Sequence, residues 1–306
     1  MEATPIQRFS YLDNTLYFKR EDLLPFSFGG NKARKAALFF REIDAQQADY
    51  VVTYGSGSSN HCRVVANMAA ARHLPCLIIS PQEAEKDTFN RKLMRLFGAQ
   101  IVTCPVSKVA ETIEAHLLRL QQEGFHPYFI QGGGHGNIGT QAYVECFREI
   151  SLYEECSGIH FDYIFLASGT GTTQAGLVCG KLLTGSNARI IGISIARKNP
   201  YGRDVVLRSV SDYLGAKFPY EKYDSAVEFI DAYITGGYGV SSEEINQSIK
   251  QVLLQWGIPM NSTYTGKAFF GMERYIAENK IRGKSILFLH TGGAPLFFDD
   301  IGEMMK

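Results

Sequence analysis

Short runs that are apolar on both faces alternate along most of this chain with stretches whose apolar residues recur at helical spacing. Tyr50–Tyr54, Gln100–Cys104 and Ser285–His290, with residues 75–80, 127–131, 163–167 and 190–195, read as strands buried on both sides, as in parallel sheets. Residues 60–73, 107–123, 138–156 and 172–183 read as helices. In 107–123, Ser107 is the expected N-cap, and Val109, Ile113, Leu117 and Leu120 fall on one face. Such alternation means an α/β fold with right-handed crossovers.

The length of 306 residues exceeds that at which one core stops growing, so two lobes are expected. Residues 36–145 hold four strand–helix units and form the expected small α/β lobe; 1–35 and 146–306 form the large one. The expected site is the cleft, where strand carboxyl ends meet helix amino termini.

Charge and cysteine content narrow the function. Thirty-one basic and 31 acidic side chains cancel, which leaves no basic excess for nucleic acid. No uninterrupted apolar run reaches the roughly 18 residues of a membrane span. MEATPIQRFS lacks a basic start followed by an apolar run, so no secretory signal is expected. The six cysteines show no C-x-x-C pair, the pattern of reduced thiols in a cytoplasmic protein with no metal site.

Four sets of segments could carry chemistry. In Phe28-Gly29-Gly30-Asn31-Lys32-Ala33-Arg34-Lys35, two glycines precede a helix that sets Lys32 and Lys35 on one face. A buried lysine there would be a nucleophilic amine, but taken alone a solvated basic helix is the stronger reading. Gly55-Ser56-Gly57-Ser58-Ser59-Asn60 reads as an anion site or as a plain N-cap. Ser168-Gly169-Thr170-Gly171-Thr172-Thr173, between strand and helix, is a good phosphate cradle and lacks the Gly-Lys ending of a nucleotide P-loop. Tyr264-Thr265-Gly266-Lys267 and His290-Thr291-Gly292-Gly293 each read as a turn when taken alone.

Together, the ordered segments GGNKARK, SSNHCR, SGTGTTQAGL, YTGKA and HTGGAP resemble the fold-type-II pyridoxal-phosphate enzymes. The nearest branch is that of D-cysteine desulfhydrase and 1-aminocyclopropane-1-carboxylate deaminase, and the likeness runs from Tyr17 to Phe297. It implies a two-lobed, tryptophan-synthase-β-like fold with mostly parallel twisted sheets covered by helices. It also implies pyridoxal phosphate held as a Schiff base on Lys32, with a small amino-acid substrate and a second copy of the chain as partners. Lys35 and Gly169, Thr170, Gly171, Thr172 and Thr173 would hold the phosphate, and Asn60 would meet the phenolic oxygen. Ser59, Tyr264 and Tyr238 would face the substrate, and Thr265 or Thr291 the pyridine nitrogen. His61 and Thr265 stand where cyclopropane deaminases carry glutamine and glutamate, the desulfhydrase pattern. Ser58, where many relatives have glutamine, and the Gly-Thr-Gly-Thr-Thr loop depart from the family.

The implied reaction is α,β-elimination from D-cysteine or a close analogue, with ring-opening deamination as the alternative. Two other classes stay open. A catalytically silent cofactor or metabolite binder fits the atypical loops. A nicotinamide dehydrogenase would rest on Gly134-His135-Gly136-Asn137-Ile138-Gly139, but the acid expected about 20 residues on, at the end of the next strand, is missing.

Overall fold

The computed structural model describes residues 2–84 and 87–304. The chain begins with β1 (Ile6–Tyr11), β2 (Asn14–Arg20), α1 (Asn31–Gln46), β3 (Tyr50–Tyr54), α2 (Asn60–Ala70), β4 (Cys76–Pro81) and α3 (Phe89–Leu96). It continues through β5 (Gln100–Cys104), α4 (Val109–Gln122), β6 (Pro127–Ile130), α5 (Asn137–Ser157), β7 (Tyr163–Ser168), α6 (Thr172–Thr184) and β8 (Arg189–Ser194). The last elements are α7 (Tyr201–Leu214), α8 (Tyr220–Ala226), β9 (Glu228–Ile230), α9 (Glu243–Trp256), α10 (Thr265–Glu278), β10 (Ser285–His290) and α11 (Ala294–Met304).

Contacts divide the chain into two units. One comprises the chain up to Asn31 and from Gly139 onward; the other is Lys32–Ile138. The division falls in the first residues of α1 and α5, slightly before 35/36 and 145/146.

The larger unit holds a six-stranded sheet in the order β1-β2-β10-β7-β8-β9. Only the β1–β2 pair is antiparallel. The inner strands are buried nearly end to end, which is why their sequences are apolar on both faces. One layer of the core packs Phe18, Phe165, Ile191, Ile193, Phe269, Met272 and Phe288. The Phe18 and Phe269 rings stack with centroids 5.6 Å apart. The smaller unit is a parallel sheet in the order β5-β4-β3-β6 with Val52, Leu77, Ile79 and Leu120 in its core.

One local expectation is corrected. Ser107 does not cap α4: Pro105 opens a 3-10 turn, and Lys108 is the boundary residue. Glu83 already accepts the nearby Val106 amide, at 3.0 Å. The charged run Lys19-Arg20-Glu21-Asp22 is largely buried, closing β2 and opening the 3-10 turn that follows. Lys19 Nζ donates to Glu149 at 2.6 Å and to Thr4 Oγ1 at 2.8 Å, and Tyr143 donates to Glu21 at 3.0 Å. Burial is affordable there because each charge meets an opposite one or a hydroxyl.

Candidate active site

In the larger unit, the segment before Lys32 makes a left-handed turn, with φ of 48°, 58°, 60° and 93° at Ser27, Phe28, Gly29 and Gly30. Glycine is required at the last two by space as well as by φ. A Cβ on Gly29 would lie 2.2 Å from the Asp22 carbonyl oxygen, and one on Gly30 2.7 Å from that of Thr291. This approach lets Gly30 N donate to Glu21 O at 2.7 Å and Asn31 N to Thr291 O at 3.0 Å. Asn31 Nδ2 donates to Thr173 Oγ1 at 3.1 Å. Beneath the turn, Arg20 and His290 flank Asp22 and hold its carboxyl well below the usual range against the opposing effect of burial.

The loop from Ser168 to Thr173 joins β7 to α6. Gly171, at φ 88°, is the N-cap and offers no side chain to the first-turn amides. Thr172 and Thr173 are buried beside them, and Ser168 Oγ is buried without a hydrogen-bond partner among the described residues. An uncapped helix start with hydroxyls and an unmatched buried oxygen suits a phosphate, which supplies the missing charge and acceptors.

Asn261 joins Thr265 to the main chain at Gly292, the residue after Thr291. Its Nδ2 donates to Thr265 Oγ1 at 3.2 Å and to Gly292 O at 3.1 Å, and its backbone N donates to Thr265 Oγ1 at 3.1 Å. The fully buried Thr265 hydroxyl therefore accepts and keeps its own proton to donate. At the start of α10, the Tyr264 hydroxyl lies 2.6 Å from that of Tyr238. Lys267, one turn on and fully buried, donates to Gly237 O at 2.7 Å and Ile195 O at 3.3 Å. Desolvation lowers its pKa.

In the smaller unit, Lys32 Nζ donates to Gly133 O at 3.0 Å. Desolvation pushes this half-buried amine down to about 8. Cys62 opposes the shift only as a thiolate, and burial pushes its own pKa up to about 12. Lys35, buried one turn on, is held well below its ordinary value by desolvation and by Lys32. The basic face of α1 is thus interior. His61 is likewise kept neutral, by desolvation and then by both lysines. The Thr53 hydroxyl donates to Ile130 O at 2.8 Å, so the His61 Nε2 at 2.9 Å carries the proton that Thr53 accepts.

Ser59 caps α2 by accepting from Cys62 N at 3.2 Å, which leaves its hydroxyl proton to be donated elsewhere. Asn60, next along, accepts from Asn90 Nδ2 at 2.9 Å.

Residues 2–292 match the family described as pyridoxal-phosphate dependent enzyme. The chain belongs to that family. Pyridoxal phosphate is therefore its cofactor, and the fold is that of fold-type-II pyridoxal-phosphate enzymes. The D-cysteine desulfhydrase of Yersinia pestis (strain Pestoides F) is 34% identical over 97% of this chain and 93% of its own. That of Serratia proteamaculans (strain 568) is 32% identical over the same shares. A crystal structure of an ACC deaminase homologue covers 100% of this chain and 94% of its own, at 30% identity and a TM-score of 0.87. The donor set fits the cofactor's chemistry: a desolvated amine for an aldehyde and an uncapped helix start for a phosphate.

Several supporting groups had no signal in the sequence. The Gly133 carbonyl, Asn90 and Asn261 are ordinary loop or helix residues until the fold sets them beside a site residue. Lys267 was visible within its motif, but two main-chain carbonyls as its partners were not. The G-x-G-x-x-G match follows an edge strand and runs into α5, with Gly133, just ahead of it, serving Lys32.

Proposed function

We propose that this enzyme is a cytoplasmic, homodimeric carbon–sulfur lyase that converts D-cysteine or a close analogue, with water, to pyruvate, ammonium and sulfide. What carries the reading is similarity to D-cysteine desulfhydrases along 97% of the chain. The neutral, buried hydroxyl of Thr265 supports it, because the deaminase resemblance would require glutamate there. Among the described residues, no helix is long and apolar enough to cross a membrane.

Bound pyridoxal phosphate supplies the electron sink that acidifies Cα and allows the bond to the β-substituent to break. Each side chain has a distinct task in this reading. Lys32 holds the cofactor, yields it to the substrate amine and then takes the Cα proton. In the cofactor-free protein its amine sits near 8, which leaves a neutral share for attack on the cofactor aldehyde. Lys35 and the amides and hydroxyls of Gly169, Thr170, Gly171, Thr172 and Thr173 hold the phosphate. Asn60 donates to the phenolic oxygen. Thr265 or Thr291 gives the ring nitrogen a neutral donor, which disfavours the full ring protonation that transamination exploits. Ser59 donates its free proton to the substrate, and the Tyr238–Tyr264 pair borders it. With sulfide lost, the Lys32 amine would reclaim the cofactor and so release aminoacrylate, which water would hydrolyse to pyruvate and ammonium.

The test is a spectral titration of the purified protein with D- and L-amino acids, coupled to a keto-acid readout. D-Cysteine should release pyruvate, ammonium and sulfide in equal amounts. A keto acid from 1-aminocyclopropane-1-carboxylate and none from D-cysteine would replace the proposal with ring-opening deamination. Bound cofactor with no keto acid from any substrate would make the protein a silent binder.

A further inference from the structure

Asn90, in the first turn of α3, is completely buried. Its Nδ2 donates to Ser58 O and to Asn60 Oδ1, both at 2.9 Å. A main-chain carbonyl can only accept, so the Asn90 atom facing Ser58 must be the amide nitrogen. The same nitrogen faces Asn60, so the Asn60 atom that it meets must be the oxygen. One carbonyl thereby settles the orientation of two side-chain amides. A second tie comes from Thr88, the N-cap of α3, whose hydroxyl donates to Gly57 O at 2.8 Å. The 57–60 loop is therefore fastened to α3 at three oxygens.

With Oδ1 committed to Asn90, the half-buried Asn60 can offer only Nδ2 on its other side, and that nitrogen has no hydrogen-bond partner among the described residues. We infer that Asn90 is a positioning residue that makes Asn60 a donor toward the cofactor. The inference rests on the reading that Asn60 meets the phenolic oxygen. A donor there favours the ionised phenolate, and a carbonyl oxygen would oppose it. Asn90 thus sets the protonation of the cofactor without touching it.

Asn90→Asp and Asn90→Ala, with Asn60→Ala as reference, test this in the purified holoenzyme. The readouts are the ratio of the visible phenolate band to the near-ultraviolet phenol band and the dissociation of pyridoxal phosphate. Asn90→Asp turns a donor into an acceptor, and the Asn60 amide rotates to donate to it. The visible band should then collapse in favour of the near-ultraviolet one, and cofactor should be held about ten- to a hundredfold more weakly, the range for one hydrogen bond to a charged group. Asn90→Ala frees the amide and should give a smaller change in the same direction.

If Asn60→Ala alters the band ratio and both Asn90 variants keep it, the inference fails while the site reading stands. If Asn60→Ala itself changes nothing, the site reading fails. Should both Asn90 variants be unfolded, the side-chain NH2 resonances of Asn60 in labelled wild-type protein decide. A large shift on adding pyridoxal phosphate supports the donor assignment, and no shift overturns it.

Discussion

Asn31 donates its side-chain amide to Thr173 Oγ1 at 3.1 Å, and Asn31 is the residue immediately before Lys32. The backbone next to the reactive amine is therefore tied to the helix turn proposed to receive the phosphate. Asn31→Ala should cost roughly 1 kcal/mol of stability and Asn31→Asp should weaken cofactor binding further, because a carboxylate repels the phosphate. Equilibrium dialysis of pyridoxal phosphate against the two variants checks the order. Equal losses would mean that the side chain only braces the loop.

Acidity separates the two states of Lys32. The folded amine releases its proton near pH 8 and the unfolded one near 10.5, so between these values the unfolded chain binds more protons. Stability of the cofactor-free protein should therefore rise with pH across that window and stay at its lower level below it. Lys32→Met, which has no charge to desolvate, should raise the melting temperature at neutral pH, and the gap should close above the window. Capture of added pyridoxal phosphate by the wild type should accelerate with pH and level off above about 8.

Lys267 is a buried cation whose hydrogen bonds go to main-chain carbonyls, and one of them, Gly237 O, adjoins Tyr238. Lys267→Met keeps the bulk and removes the donor. Amides of residues 235–239 should exchange faster with deuterium, and KM for the amino acid should rise roughly tenfold or more with kcat changed less, as one charge-assisted bond is lost. Unaltered exchange would assign Tyr238 some other support.

Thr265 accepts two hydrogen bonds from Asn261 in a site closed to water. Thr265→Val would strand both donors and cost roughly 1–3 kcal/mol, whereas Thr265→Ser should come within about 1 kcal/mol of wild type. Denaturant melts of the two variants measure this. A valine variant as stable as wild type would show that Asn261 finds another acceptor.

The all-apolar strands were legible because burial on both faces leaves no polar alternation to misread. β3, β5 and β10 lie at the residues their patterns indicate. The β1–β2 hairpin was not legible, since β2 runs into four charges, Lys19 to Asp22, whose partners on α5 and β10 only the fold reveals. Within the site, small-residue loops before helices were readable locally, and so was the lysine of α1. Their orienting partners were not. Asn90 lies 30 residues from Asn60 and Asn31 lies 142 from Thr173, and no local pattern encodes such pairings.

The collision distances at Gly29 and Gly30 also bear on how this protein can diverge. The obstructing atoms are main-chain oxygens, which cannot rotate aside as a side chain would. A library randomised at both positions should return only glycine among folded clones, under any selection. Altered substrate choice has to be sought elsewhere, and the half-exposed ring of Tyr238 leaves room for it.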